Sequence, residues 1–488
     1  MFNRLLSAIL CLILMLSLTA CSISFKLPID KNDSNSPPLT NNSSDNTTTT
    51  PDKEPKPDTN PTPNTGSTPS KPQSSNTNTN SNVSNNSSVV DDKPVQDAND
   101  QNNNVSSPTI ETPVTPDTHH TPLSKESYYQ YSTLNDNEKK VYNDICTSIE
   151  ATQNVIHLSK YGIDYNKMWL IYQKVVADNP QYFWVSKFIQ YTHWNQNGKD
   201  KIVDLFLFYT DGEITDNLGS DGKLSSVASR DKISSQINAV NQKTEEILST
   251  IPSGYTDVEK ERLIHDRILS QITYDHSAVG QQINRVNYSR VYDIYGALIN
   301  KKSVCEGYSR LFQYLCYQVG INATIVNGTS DNQAHAWNAV KLDGDWYHID
   351  TTWDDGSTSG IPLYDYFNLT TEEISLSHAI DNDNLSVPNA TATKLSFTNT
   401  FGMKLKNLVS TPLNYQLAID YAVKFKSPYI HIMVNNLNAT HMYGNFLMVY
   451  VFNSNSDIQH YIKAKGYNLK FEEGSTPYTD TCIFVKCK

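Results

Sequence analysis

Cys305, His335 and Asp350 stand in three segments suited to thiol chemistry: Ser303-Val304-Cys305-Glu306-Gly307-Tyr308, Ala334-His335-Ala336-Trp337-Asn338-Ala339-Val340 and Trp346-Tyr347-His348-Ile349-Asp350. A cysteine becomes an effective nucleophile as the thiolate, and an imidazole oriented by a carboxylate supplies the matching base. Ser303 followed three residues later by Glu306 is a capping-box pattern. Beyond it Tyr308, Leu311, Phe312, Leu315, Cys316 and Val319 recur at helical spacing, and Gly320 offers a stop. With Ser303 as N-cap, Cys305 takes the second helical position. There the unpaired N–H groups and the positive end of the helix dipole favour thiolate. The same segment also reads as a small core residue opening a helix.

The other two residues require a hairpin. Ala336 to Leu342 reads as a strand, Asp343-Gly344 as a tight turn, and Trp346 to Thr352 as the returning strand. A two-residue turn pairs Leu342 with Asp345 and puts Trp337 opposite Asp350. His335 then lies diagonally from Asp350 on the same face, within reach of the carboxylate. Asp350 would hold the tautomer that leaves the other ring nitrogen for the thiol. An odd-length loop would break that face, and a surface histidine with a strand-end carboxylate is the bland alternative. His348, two residues before Asp350, shares the face and competes as base, but its place on the same strand suits a supporting role better. Trp337, Trp346 and Trp353 could line a tunnel that admits an amine and excludes water, or simply pack the sheet. The Cys305 N–H is a natural oxyanion donor, with Tyr292, Tyr295 or Gln313 as side-chain candidates.

These segments carry a resemblance. VCEGYSRLFQYL, HAWNAVKLDGDWYHIDTTWDD and YDYFNLT, in this order, resemble the transglutaminase-like superfamily in its bacterial secreted branch. TDVEKERLIHDRILSQITYD (Thr256 to Asp275) and YGALINKKSVCEGY are similar to it as well, so the likeness runs from Ile251 to Thr371. The resemblance implies an α+β, papain-like core in which the cysteine-bearing helix packs on an antiparallel sheet. It also implies Cys305 as nucleophile, His335 as base and Asp350 as orienting acid. It leaves the reaction open among cross-linking, peptide cleavage, amide hydrolysis and loss of activity. His348, Trp337, Trp353 and Tyr295 are then the candidate supporting or substrate-lining residues.

The frame around this core is uneven. Of the 488 residues, Met1 to Ala20 reads as a signal peptide: Arg4, an apolar run from Leu5 to Leu18, then Leu18-Thr19-Ala20-Cys21. That ending is lipobox-like, with Cys21 as the lipidated residue, and the run is short for a membrane span. Residues 21–124 are dominated by Asn, Ser, Thr, Pro and Asp with no aromatic after Phe25, a composition too polar to offset the entropy of ordering. As a coil they span about 55 Å, enough to tether an anchored enzyme within a cell wall.

From Tyr128 aromatics return. Residues 125–250 read as an accessory α/β region, with helices at 166–178 and 231–249 and strands at 182–191 and 201–209. Residues 251–380 hold the core. Residues 395–488 read as a further small α/β unit, helical over 415–425 and extended over 429–434, 446–452 and 482–485.

Among the seven cysteines, removal of Cys11 and lipidation of Cys21 leave five. The odd number keeps at least one thiol free, and the strand parity of Cys482 and Cys487 argues against their pairing. A net charge of -12 offers no basic stripe for nucleic acid. No histidine–cysteine cluster has zinc spacing, and Asp381-Asn382-Asp383-Asn384 lacks the glycine and glutamate of a calcium loop. The expected partners are therefore a protein or peptide amide, with cell-wall peptides as one source, and the membrane through a lipid. No cofactor or metal is required. The competing class is a surface binding or scaffold protein that keeps the fold without the chemistry.

Overall fold

The computed structural model describes residues 118–196, 198–210, 213–215, 225–227, 229–279, 289–355, 361–405, 414–434, 452–471 and 482–487. The signal-like segment, Cys21 and most of the polar tether lie outside the described residues. Contacts with the folded part already occur ahead of Tyr128, within the stretch expected to be tether: His120 Nε2 donates to Ile251 O at 2.9 Å, and Leu123 N donates to Tyr317 O at 2.8 Å.

Helix α1 (Asp136–Glu150) is closed by a full capping box between Asn135 and Glu138. Strand β1 (Val155–His157), helix α2 (Tyr165–Asp178), and the long hairpin β2 (Val185–Gln196) and β3 (Lys199–Tyr209) follow. The three strands form an antiparallel sheet in the order β1-β3-β2. Helices α3 (Arg230–Leu248) and α4 (Asp257–Gln271) lead into the core. There helix α5 (Cys305–Gln318) packs on a four-stranded antiparallel sheet of β4 (Asn322–Ser330), β5 (Gln333–Leu342), β6 (Asp345–Ile349) and β7 (His378–Ile380), in the order β6-β5-β4-β7. A smaller unit follows, with helix α6 (Tyr415–Lys424) and strands β8 (Tyr429–Val434) and β9 (Cys482–Lys486). The fold is α+β around a transglutaminase-like core.

Periodicity located the elements better than their ends. The strand expected from Tyr182 starts at Val185 and runs on to Gln196, because Tyr182 and Phe183 turn inward as buried side chains before the ladder begins. The strand expected to reach Thr352 stops at Ile349, since Asp350 bonds the N–H groups of the turn beyond it. Of the stretch read as extended over 446–452, Phe452 is helical and the rest lies outside the described residues. Cys487 is free and buried.

One hydrophobic cluster ties these parts together. It draws on Tyr142, Ile171, Leu205, Ile247, Phe312, Tyr347 and Phe397, and so runs unbroken across residue 250. A second cluster of Ile419, Ile430, Phe452, Ile458 and Val485 belongs to the C-terminal unit.

Candidate active site

Cys305 is the first residue of α5, and its N-cap is Val304 rather than the expected Ser303. The capping box does not form because both of its partners are taken. Ser303 pairs in a short parallel ladder with Tyr274, and its hydroxyl donates to Val291 O at 2.7 Å. Glu306 accepts from Arg310 Nε at 2.8 Å and pairs with Lys187. Burial opposes its charge, yet these two cations outweigh it and hold the carboxyl below its usual range. The helix start is fixed instead by close packing: a Cβ on Gly307 would stand 1.9 Å from Ser303 Oγ and 2.7 Å from Val291 O. Cys305 is half-buried, at the end of the helix whose first N–H groups point outward.

The hairpin has the register counted from the sequence. Leu342 pairs with Asp345 and Asn338 with Ile349, which carries Trp337 opposite Asp350. Asp343 at φ 50° and Gly344 at φ 92° supply the left-handed pair that a two-residue turn of this type needs. His335 Nε2 meets Asp350 Oδ2 at 2.6 Å, and the Cys305 thiol is close enough to act on the charge of the ring. With Nε2 committed to the carboxylate, Nδ1 is the nitrogen left for sulfur. Burial works against a charged ring, but Asp350, with help from Cys305, raises His335 to about 10. Burial likewise opposes the Asp350 carboxylate, and His335 and His378 overcome it, holding the group far below the usual range.

Asp350 is wholly buried and its carboxylate is engaged on both oxygens. Oδ1 accepts from Thr352 N at 2.9 Å and Trp353 N at 3.2 Å. Oδ2 accepts from His335 and from His378 Nε2 at 3.1 Å. The following turn is anchored by Asp354, which takes Tyr366 N at 3.0 Å and His265 Nε2 of α4 at 3.1 Å.

The other sequence candidates fall in different places. His348 accepts from Trp337 Nε1 at 3.2 Å and donates to Thr371 Oγ1 at 3.1 Å, so neither nitrogen is left for a thiol. Burial, then the neighbouring His378, lowers His348 to about 4 and keeps it neutral. Trp337 is fully buried and stacks on His335 with ring centroids 6.0 Å apart, supporting the imidazole from behind. Trp353 stands half-buried, edge-on to His335 at 6.2 Å. Trp346 packs instead against Tyr129 at 4.9 Å. Tyr295 packs on Phe183 and under the Arg290 guanidinium. Gln313 is spent inside the helix–sheet interface, donating to Tyr317 OH and Ala323 O. Tyr292 bonds Ala278 O at 3.5 Å, beneath Lys187.

Two residues at the site had no signal in the sequence reading. His378 opens a three-residue strand with no periodicity to mark it. Lys187 lies on β2, more than a hundred residues upstream, and reaches the residue beside the cysteine. Lys187, Glu306, Arg310, Trp169 and Asn327 line a cleft against the start of α5.

His335, Asp350 and His378 also cluster closely enough to suggest a metal. The 2.6 Å between His335 Nε2 and Asp350 Oδ2 is a hydrogen-bond length. Two atoms bound to one tetrahedral zinc stand roughly 3.3 Å apart, given bonds of about 2.0–2.1 Å.

Residues 242–351 match the model of the transglutaminase-like superfamily. Kyphoscoliosis peptidase of Homo sapiens is 32% identical over 138 residues, covering 26% of this chain and 20% of that protein. Its Mus musculus counterpart is 30% identical over 138 residues, with the same coverage. The chain thus spans about a fifth of the length of these curated relatives. A solved structure titled as a TGase is 18% identical, covers 35% of this chain and 45% of its own, and has a TM-score of 0.23.

Proposed function

We propose that this chain is a lipid-anchored, extracytoplasmic thiol enzyme acting on peptide or side-chain amides, with cell-surface or wall peptides as substrates. The observation that carries the reading is His335 hydrogen-bonded to the buried Asp350 carboxylate, with the Cys305 thiol among the groups that act on the ring. In this reading Cys305 Sγ, as thiolate, attacks the amide carbonyl, and the developing oxyanion meets the Cys305 N–H at the helix start. His335 gives its proton to the departing amine or ammonia as the C–N bond breaks, leaving a thioester. A second amine, or water, then attacks the thioester carbonyl while His335 takes its proton, and the thiolate leaves.

Transfer and hydrolysis differ only in that last acceptor. The likeness of one segment to a protein named a peptidase supports the hydrolytic branch. Cys21 is the proposed lipid site and residues 21–124 the tether that gives the catalytic part its reach.

The test is mass spectrometry on glutamine-containing peptides and wall peptides with a primary-amine probe. Mass gained from the amine identifies a transferase; deamidation or a cut peptide identifies a hydrolase. Unchanged peptides, together with a Cys305 that alkylates no faster than free cysteine, would leave a scaffold protein as the better account.

A further inference from the structure

We propose that His378 is a positioning residue of the thiol centre: its Nε2–H shares Asp350 Oδ2 with His335 and locks the carboxylate in the orientation the catalytic imidazole needs. This rests on reading Cys305, His335 and Asp350 as a thiol triad. An ionised carboxylate only accepts hydrogen bonds, so the 3.1 Å contact from His378 Nε2 requires the proton on that nitrogen. His378 Nδ1 is held by Ser377 Oγ at 2.8 Å, which fixes the ring plane at its far side. Both the histidine and the carboxylate are inaccessible to solvent, so water offers no substitute donor.

The surroundings leave His378 no other evident task. Its ring packs among Trp337 at 4.9 Å, Trp353 at 5.1 Å, His335 at 5.3 Å and Tyr366 at 5.4 Å. An aromatic hydrocarbon would fill this box equally well, and a buried polar ring is costly unless its bonds are made. Strand pairing delivers the residue: His378 pairs with Ser330 on β4, and Ser330 with Gln333 on β5, two residues before His335. The carboxylate is thereby gripped from two strands and by the turn N–H groups of Thr352 and Trp353.

The titratable groups facing His378 are Asp350 from the end of β6, His335 from β5, His348 from β6 and Tyr366 from the loop that follows. Cys305 from α5 acts on His335 from beyond this group. Losing the His378 donor acts on the thiol through orientation: it frees Asp350 to turn away from the imidazole that stabilises the thiolate.

The experiment compares the full chain with His378→Phe, which fills the box without a donor, and His378→Gln, whose amide can present an N–H where Nε2 stood. Iodoacetamide modification of Cys305, followed by mass spectrometry across pH, reads thiolate formation without needing a substrate. We expect the apparent midpoint to rise by about half a pH unit or more in His378→Phe and to return toward wild type in His378→Gln. A His378→Phe protein with native circular dichroism and an unchanged midpoint overturns the proposal. A midpoint raised equally by both variants overturns it too, since the effect would then be packing. The wild-type profile reports separately on the triad: an ordinary thiol midpoint there counts against the enzyme reading, whatever the variants do.

Discussion

At Asp350 four hydrogen bonds converge on one buried side chain, two from ring nitrogens and two from backbone N–H groups. Asp350→Asn keeps the shape and one acceptor, but turns an NH2 toward two ring nitrogens or toward two backbone donors. The charge that holds His335 at about 10 is gone, and the burial that opposes a charged ring is then unopposed. The imidazole becomes neutral at pH 7 and the thiolate loses its counter-ion. We expect turnover to fall by about 10³–10⁴, as when the acid of a comparable triad is amidated, and Cys305 alkylation at pH 6 by about tenfold or more. Stability follows the same pair. Asp350 is depressed, so its contribution is present above about 4 and lost below; His335 is raised, so its contribution is full below about 6.5 and fades toward 10. The difference in melting temperature between wild type and Asp350→Asn should therefore be widest between those limits, and a flat difference from pH 4 to 10 would contradict the ion pair. His335 and Asp350 were legible as neighbours because the hairpin's local pattern sets the direction of each. His378 was not, because its position depends on a strand pairing that no turn residue announces.

The hairpin was legible for a single reason. Asp343-Gly344 admits a two-residue turn, and once the turn is fixed, parity fixes every facing pair. The cap of α5 was misread because a capping box is a local pattern, whereas Ser303 and Glu306 are claimed by Val291 and Lys187 from distant segments. The same non-local packing makes β4 demanding at Gly328, which pairs with His335 on one side and Ile380 on the other. A Cβ there would stand 2.1 Å from Ala379 O and 2.8 Å from the Trp337 ring. Neither is the free end of a flexible chain: one is strand backbone and the other is the indole behind the imidazole. Gly328→Ala should therefore push β7 away from β4 and disturb Trp337 together. The expected cost is about 1–3 kcal/mol, read as a lower urea midpoint, with slower Cys305 alkylation because His335 and His378 move apart. Wild-type values for both would mean that the strands are less closely packed than described.

Across the whole molecule, composition does not show how the parts join. Residues 125–250 and 251–380 read as separate stretches, while the buried cluster passes through both. Helix α4 shows why. Its sequence carries Glu259, Glu261, Arg262, His265 and Asp266, and the C-terminal segment covers them. The Arg262 guanidinium lies 4.8 Å from the rings of both Phe401 and Phe425, and His265 is fully buried between Asp266 and Asp354. Burying so many ionisable groups ties stability to pH. Burial raises Glu261 to about 8 against the pull of Asn368, while Asp266 and Asp354 overcome burial to raise His265 to about 9. Each folded-state value lies above its unfolded one, so the folded chain keeps protons that the unfolded chain releases. Their stabilisation is complete below the unfolded values and is lost as pH rises through the folded ones. Unfolding free energy should therefore fall between pH 6 and 9, at roughly 1.4 kcal/mol per pH unit for each retained proton. Glu261→Gln isolates one of them. Glu261 Oε2 accepts from Asn368 at 2.9 Å, while Glu261 Oε1 and Asn368 Oδ1 are both buried without a hydrogen-bond partner. A glutamine of the same shape can accept from Asn368 or donate to its free oxygen, and it has no proton to lose. Denaturant titrations at pH 6 and 8 should give the variant a pH slope smaller by about one proton and greater stability than wild type at pH 8. Equal slopes would mean that Glu261 is already ionised in the folded chain and that its charge is met by a partner other than Asn368.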